Sequence, residues 1–221
     1  MTRLLSRFWY YFWHTVTAVI GLVGLSMRIE RRYRFPKTGA ALLVANHQSF
    51  FDPPLIGLAS DRELVYLARK TLFKHKALAG LMSSLGAVPI DQEGVGKEGI
   101  RTILEELGKG RAVLVFPEGS RTPDGRMHEL KPGIHLLLKR SQAPIIPVGI
   151  AGAYDTWPIW RRFPLFTPLF LPPQKGGVAV VFGPALDSKR LAELPRAEAL
   201  RVLAEEIAKA QKRAEEIRRK W

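Results

Sequence analysis

The feature that most limits the fold of this chain is a series of short, continuous apolar runs. Residues 41–45, 64–68, 112–116 and 178–182 each contain five apolar residues in succession, and residues 144–150 form a further run punctuated by proline. A continuous run of this length is typical of a strand buried on both faces, as in a parallel sheet. Segments of helical length separate the runs. The sequence therefore predicts an α/β fold with a mixed, mainly parallel sheet sandwiched by helices.

Length, charge and composition narrow the classes of function. The 221 residues suffice for one domain of moderate size with a substantial core. The chain has no cysteine, which excludes disulfides and thiol nucleophiles, and its five histidines show no metal-ligand spacing. A formal net charge of +14 indicates anionic partners. Charge alone leaves nucleic acid, anionic lipid and phosphorylated metabolites open.

The N-terminal segment indicates attachment to a membrane. Residues 1–37 carry seven Arg or Lys and one Glu, whereas the twenty residues 8–27 have no formal charge. At about 1.5 Å per residue, a helix of that length could just cross an apolar bilayer core of about 30 Å. A cleaved signal peptide and a soluble core helix are the other interpretations of this segment.

A helical wheel of the same segment favours a helix lying in the headgroup region. One narrow stripe holds two arginines, His14 and Gly21, flanked by Tyr10 and Thr17, while Trp9 and Trp13 share another face. We therefore predict that residues 1–27 are a membrane-associated helical anchor, lying in one leaflet or spanning the bilayer once. Trp9 and Trp13 would contact lipid, and residues 28–221 would form one catalytic domain.

The strongest candidate for chemistry is the pair His47 and Asp52. They lie between the apolar run 41–45 and a double proline, where Asp52 is expected to be the N-cap of a helix. His47 would then sit at the carboxyl end of a buried strand, with Asp52 close enough to orient its ring as a general base. A loop histidine beside an ordinary helix cap is the alternative. Since the chain lacks both a G-x-S-x-G motif and cysteine, the base would activate a hydroxyl of the substrate.

A second polar cluster follows the run 112–116. Glu118, Ser120 and Arg121 share one turn, and Arg121 is of the residue type that binds phosphate with two parallel hydrogen bonds. Lys70 and Lys74, from another loop, could add positive charge. If these groups converge, they would hold a phosphate near His47. A salt bridge within the loop and solvated lysines are the alternative.

One further stretch fits neither helix nor strand. Residues 157–173 contain five prolines, which forbid a regular helix, together with many bulky apolar side chains. The segment either folds over the core or contacts a membrane. We predict membrane contact through Trp157, Trp160, Phe163 and Phe166.

The motifs of this chain resemble those of the 1-acylglycerol-3-phosphate acyltransferases, a family of glycerolipid acyltransferases. Residues 46–52 match N-H-x-x-x-x-D, and residues 116–121 match F-P-E-G-[ST]-R. Residues 86–91 resemble the family's apolar strand ending in Asp, and residues 143–149 its proline-punctuated strand. Lys70, with Leu72 and Phe73, resembles an element that usually precedes the motif found here at residues 86–91. Together they extend over roughly residues 28–185, in the family's order.

The resemblance implies transfer of a fatty acyl chain from acyl-CoA or acyl-ACP to lysophosphatidic acid, with no metal or redox cofactor. It assigns His47 as the base and Asp52 as its orienting group, Glu118 and Gly119 as acceptor-positioning residues, and Arg121 and Lys70 as phosphate ligands. Membrane phospholipids would be partners and nucleic acid would not, and the enzyme would act at the cytoplasmic face of the cell membrane.

One residue departs from the family pattern. Gln92 stands where the family commonly has Arg, so phosphate binding would depend on Arg121 and Lys70. This departure leaves open an acyltransferase with another acceptor, such as glycerol-3-phosphate, a different lysophospholipid or a lyso-aminolipid. A non-catalytic basic protein that binds membranes or nucleic acid is the hypothesis from another class.

Overall fold

The computed structural model describes residues 3–91, 96–171 and 177–219, and the side chains of residues 3–7, 77 and 78 are outside that description. Gln92, Pro172 and Pro173 lie outside the described residues. The structure therefore does not show the surroundings of Gln92, the residue that departs from the family pattern.

Within the described residues, seven strands form a single sheet. They are β1 (Arg28–Glu30), β2 (Ala41–Ala45), β3 (Leu64–Arg69), β4 (Ala87–Ile90), β5 (Ala112–Val115), β6 (Ile145–Ala151) and β7 (Ala179–Phe182). Their order across the sheet is β1-β7-β6-β2-β5-β3-β4. The five strands from β6 to β4 are parallel, whereas β7 runs antiparallel to β6 and carries β1 on its outer edge. The prediction of a mixed, mainly parallel sheet is confirmed.

Helices cover both faces of the sheet. They are α1 (Arg3–Ala18), α2 (Asp52–Ser60), α3 (Lys76–Ser84), α4 (Lys97–Gly108), α5 (Gly133–Arg140), α6 (Ala153–Thr156), α7 (Ser188–Glu193) and α8 (Arg196–Ile217). Because successive strand residues point to opposite faces, Leu43 packs with α2 while Leu42 packs with α4, α5 and α8. The predicted sandwich is thus present.

The register of two central strands places their following loops side by side. β2 and β5 are neighbours, and Val44 is aligned with Val115 at their carboxyl ends. Both strands are buried along their whole length, which explains why their sequences are continuously apolar. The loops that contain His47 and Glu118 therefore leave the same edge of the sheet at the same level.

The N-terminal helix packs on the domain through part of the stripe that the helical wheel identifies. Tyr10, His14 and Thr17 line a small cavity against α2 and β3, and burial raises the pKa of Tyr10 to about 12. Gly21, in a wide π-helical turn (Val19–Gly24), is buried where a β-carbon would lie 3.1 Å from Leu55. A wheel cannot show this outcome, because it identifies a stripe but not its neighbour.

The exposed side of α1 is aromatic, and α1 is continuous with the domain. Trp9 is exposed and Trp13 is half-buried. Leu25 and Met27 are buried in the main core, so the described residues 3–27 continue directly into the domain. Of the described helices, none has the length and apolarity needed to cross a membrane.

Candidate active site

His47 and Asp52 meet in the loop between β2 and α2. Nδ1 of His47 lies 2.7 Å from Oδ2 of Asp52. The carboxylate is fully buried, and the side chain of His47 retains 16% exposure. The predicted contact between the two side chains is therefore present in the structure.

A single carboxylate oxygen organises the whole loop. Besides the imidazole, Oδ2 of Asp52 accepts hydrogen bonds from the backbone N–H of Gln48 at 2.5 Å and of Ser49 at 2.7 Å. Asp52 is also the first residue of α2, where the helix dipole favours a negative charge. The carboxylate thus fixes both the backbone of the loop and the imidazole ring.

The expected N-cap role of Asp52 is wrong. Asp52 lies inside the helix, and its side chain accepts from the preceding loop rather than from the first helical turn. Pro53 and Pro54 have no N–H to offer, and the N–H of Leu55 bonds to the carbonyl of Phe51. The double proline therefore leaves the carboxylate available to His47.

The imidazole ring is held on its face as well as at its edge. It stacks on the ring of Phe116, with centroids 3.9 Å apart and planes inclined by 15°. With Nδ1–H donated to the carboxylate, Nε2 carries the lone pair, and it has no hydrogen-bond partner among the described residues. This arrangement can accept a proton from a group that approaches the exposed edge of the ring.

Glu118 joins the loop after β5 to the loop after β2. Oε1 accepts from the backbone N–H of His47 and Oε2 from that of His128, both at 2.8 Å. The carbonyl of His47 accepts in turn from the N–H of Thr122 at 2.9 Å. Burial raises the pKa of Glu118, while the two backbone hydrogen bonds act in the opposite direction. Glu118 therefore braces the base, a long-range contact that sequence reasoning missed.

Three side chains beside His47 tie its loop to β6, to residues that follow β6 and to Gly125 in the loop after β5. Asn46 donates to the carbonyl of Ile150 and accepts from its N–H, both at 2.9 Å. The amide of Gln48 bridges Gly125 and Tyr154, and the hydroxyl of Ser49 donates to the carbonyl of Trp157 at 2.9 Å. The residues of the N-H-x-x-x-x-D motif are thus held on several sides. The asparagine at the end of an apolar strand was the sequence signal that could have predicted this anchoring of the loop.

Arg121 and Gly119 occupy the same loop as Glu118. The guanidinium carbon of Arg121 lies 3.4 Å from the ring centroid of Phe50, a cation–π contact with the loop of His47. Gly119 has a φ of +76°, a left-handed conformation in which glycine carries no steric cost. Their predicted roles in binding phosphate and acceptor remain predictions.

Lys70 is paired within the protein. Its Nζ lies 2.8 Å from Asp91 and 3.8 Å from Glu98, and the hydrogen bond to Asp91 raises the pKa of Lys70. β3, which precedes Lys70, is two strands away from β2, about 10 Å across the sheet. Lys70 shares the active-site edge, but the structure does not bring it against His47. Its assignment as a phosphate ligand remains a prediction.

The aromatic residues of the 157–171 segment differ in exposure. Trp160, Phe163 and Phe166 are exposed. Trp157 is half-buried, with its ring centroid 5.1 Å from that of Phe50 and 4.8 Å from that of Phe51. Trp157 therefore links the segment to the loop of His47, which the sequence did not predict.

The chain is similar in sequence to known acyltransferases. A family model described as Acyltransferase matches residues 26–151. The 1-acyl-sn-glycerol-3-phosphate acyltransferase of Bacillus subtilis (strain 168) is 23% identical over 195 residues, which cover 88% of this chain and 90% of that protein. The Mus musculus 1-acyl-sn-glycerol-3-phosphate acyltransferase alpha is 32% identical over 144 residues, covering 61% of this chain and 48% of that protein.

A solved structure extends the similarity to the fold. The crystal structure of PlsC, the 1-acyl-sn-glycerophosphate (LPA) acyltransferase from Thermotoga maritima, superposes with a TM-score of 0.74 at 25% sequence identity. The match covers 96% of this chain and 79% of that chain.

Proposed function

Because the chain belongs to the Acyltransferase family, we propose that it transfers a fatty acyl group from an acyl thioester to the sn-2 hydroxyl of 1-acyl-sn-glycerol-3-phosphate, giving phosphatidic acid. The observation that carries the proposal is the imidazole of His47, oriented by a buried carboxylate and open at Nε2. The relatives from Bacillus subtilis, Mus musculus and Thermotoga maritima all carry this activity in their names.

The geometry supports a general-base mechanism in which the substrate supplies the nucleophile. Nε2 of His47 takes the proton of the acceptor hydroxyl while its oxygen attacks the thioester carbonyl. Asp52 stabilises the imidazolium that forms, 2.7 Å from Nδ1. When the tetrahedral intermediate collapses, the carbon–sulfur bond breaks and the imidazolium returns the proton to the departing thiolate. The enzyme itself is never acylated.

Glu118 contributes to this mechanism through His47. Both of its oxygens are engaged by backbone N–H groups, so it fixes the height of the base above the sheet edge. Gly119 and the rest of the turn then face the acceptor from the side of β5. The phosphate of the acceptor would be bound by Arg121, with Lys70 as a second cation whose charge is shared with Asp91.

The proposal includes a membrane location, because acceptor and product are bilayer lipids. Moving an acyl chain from bilayer to water costs about 0.8 kcal/mol per methylene, so an enzyme held at the bilayer surface avoids that cost. We assign the enzyme to the cytoplasmic face of the cell membrane, where acyl-CoA or acyl carrier protein would deliver the acyl chain. No metal or redox group takes part in the proposed reaction.

Purified enzyme offered a panel of acceptors tests the function. The panel contains 1-acyl-sn-glycerol-3-phosphate, glycerol-3-phosphate, lysophosphatidylcholine, lysophosphatidylethanolamine and a lyso-aminolipid. Each is offered with acyl-CoA and, separately, with acyl-ACP carrying the same acyl chain, and products are identified by mass spectrometry. We expect phosphatidic acid as the main product. Preference for another acceptor would show that the chain is an acyltransferase for that acceptor and not for 1-acyl-sn-glycerol-3-phosphate. No product from any acceptor with either donor would overturn the proposal.

A further inference from the structure

The phosphate of the proposed acceptor needs more positive charge than one arginine supplies. A phosphate monoester carries close to two negative charges at neutral pH and offers three strong acceptor oxygens. Arg121 contributes one positive charge. The ammonium of Lys70 lies 2.8 Å from Asp91 and 3.8 Å from Glu98, so its charge is largely offset within the protein. A second cation without such partners would complete the site.

Lys131 packs on the turn that contains Glu118, Gly119 and Arg121. A β-carbon at Gly119 would lie 3.3 Å from Cγ of Lys131 and 3.5 Å from its Cε. The aliphatic stem of the lysine therefore runs across the face of Gly119, and the ammonium, one bond beyond Cε, is held beside the turn. Gly119 thus has a second reason to be glycine, because a side chain there would press against Lys131.

The backbone of Lys131 is anchored on both sides. Its N–H donates to the carbonyl of Pro117 at 2.8 Å, and its carbonyl accepts from the N–H of Ile134 at 3.1 Å. Ile134 is fully buried, and Leu130 packs against the same core cluster. The position of Lys131 beside the turn is therefore fixed by the core, although the residue itself is exposed.

Lys131 and Arg121 are placed to reach one phosphate. Gly119 and Arg121 are two residues apart, so their Cα atoms are separated by at most about 7 Å. The guanidinium of Arg121 lies over Phe50, in the loop of His47, while the stem of Lys131 covers Gly119. Two long cationic side chains thus belong to one turn, beside the loop that carries the base.

The charge of Lys131 is available to a ligand. Within the part of the chain that the structure describes, Lys70 forms ion pairs with carboxylates and Lys131 forms none. Carboxylates beside a lysine repel an incoming phosphate and cancel part of the attraction. An ammonium without them attracts the same phosphate with its full charge.

We propose that Lys131 is a phosphate-binding residue of the acceptor site, where it neutralises the phosphate together with Arg121. The proposal rests on the proposed function and deepens it, because it names a further group that recognises the acceptor. In this arrangement Lys131 supplies an undivided second charge, and Lys70 adds only what Asp91 leaves.

Equilibrium binding without turnover tests this role. The ligands are a short-chain 1-acyl-sn-glycerol-3-phosphate, which is monomeric in water, and the same 1-acyl-sn-glycerol without phosphate, each titrated calorimetrically into the full chain. Lys131→Met keeps a stem that can cover Gly119 and removes the ammonium. We expect this variant to bind the phosphate ligand about tenfold or more weakly, as for the loss of one charge-assisted hydrogen bond. Binding of the phosphate-free ligand should stay within about twofold of wild type.

Three further variants serve as controls and comparisons. Lys139→Met removes another exposed lysine, in the last turn of α5, and should bind both ligands as wild type does. Lys131→Arg should recover most of the affinity, because it restores the positive charge. Lys70→Met should weaken binding of the phosphate ligand less than Lys131→Met does.

Four results would overturn the proposal. The first is a Lys131→Met variant that keeps the wild-type preference for the phosphate ligand. The second is an equal loss of affinity for both ligands, which would show that Lys131 only supports the turn. The third is a larger loss in Lys70→Met, and the fourth is a wild-type enzyme that binds the two ligands equally. Since no acyl transfer is measured, these results are distinguishable from a failure of the acceptor panel.

Discussion

Asp52→Asn is the substitution that most sharply separates the electrostatic role of Asp52 from its structural role. All three donors converge on one oxygen, so an asparagine oxygen in that position keeps the hydrogen bonds from Gln48 and Ser49. What disappears is the negative charge opposite the imidazolium that forms during the reaction. The variant is thus expected to keep the loop and lose rate.

The size of the loss follows from the geometry. A 2.7 Å contact between Nδ1 and Oδ2 places the two centres of charge about 4 Å apart, where unit charges attract by about 4 kcal/mol at an effective dielectric constant of about 20. At about 1.4 kcal/mol per factor of ten, kcat should fall about 10³-fold. The amide NH₂ would occupy the site of Oδ1, which has no hydrogen-bond partner among the described residues, and should cost about 1–3 kcal/mol of stability.

The assay is steady-state acyl transfer at neutral pH, with free energies of unfolding measured in urea. Asp61→Asn is the matched control, because Asp61 ends the same helix, is 71% exposed and has a φ of +58° that asparagine also adopts readily. The control should retain kcat within about twofold, since it alters only an exposed ion pair. A folded Asp52→Asn enzyme whose kcat stays within tenfold of wild type would refute the electrostatic role.

Three further predictions concern the groups around the pair. Arg121→Ala should raise KM for the acceptor about 10–100-fold, the value of a charge-assisted hydrogen bond, and a larger rise in KM for the thioester would reassign the residue. Asn46→Leu should lower the free energy of unfolding by about 2–6 kcal/mol, because it leaves the buried N–H and carbonyl of Ile150 without partners. A loss below about 1 kcal/mol in urea titration would contradict this structural role of Asn46. The backbone N–H of Arg126 and the hydroxyl of Thr122 lower the pKa of Asp124 to about 2. Its contribution to stability is therefore present above the ordinary value of 3.8 and lost as the pH falls towards 2, and a carboxyl titration by ¹³C NMR with a midpoint near 4 would disprove this.

The sequence predicted the sheet well because burial on both faces leaves a plain pattern. β2 and β5 are continuously apolar, and each precedes a polar turn, so their burial and the candidate site residues at their ends were predicted from the sequence. The direction of β7 did not follow. An apolar run does not indicate the direction of its strand. The antiparallel pairing of β7 with β6 depends on how the segment between them returns to the sheet.

The contact between His47 and Asp52 was predicted from the sequence, whereas most of the contacts that support the pair were not. His47 and Asp52 are five residues apart, so their contact follows from local spacing. The braces that hold them, Glu118 and Asn46, act across 71 and 104 residues and become visible only in the fold. The packing of α1 on the domain could not be predicted for a similar reason, because the close approach that Gly21 allows to Leu55 depends on a partner that the wheel does not contain.

The most direct test of the central claim is the rate of phosphatidic acid formation by purified His47→Ala, compared with wild type on 1-acyl-sn-glycerol-3-phosphate and acyl-CoA. The side chain of His47 keeps 16% exposure and its ring stacks on Phe116 at the margin of the main core, so truncating it removes no fully buried core side chain and the variant should remain folded. If Nε2 is the base, the variant should form product no faster than an enzyme-free mixture. A folded His47→Ala enzyme that forms phosphatidic acid at a rate close to that of wild type would contradict the account.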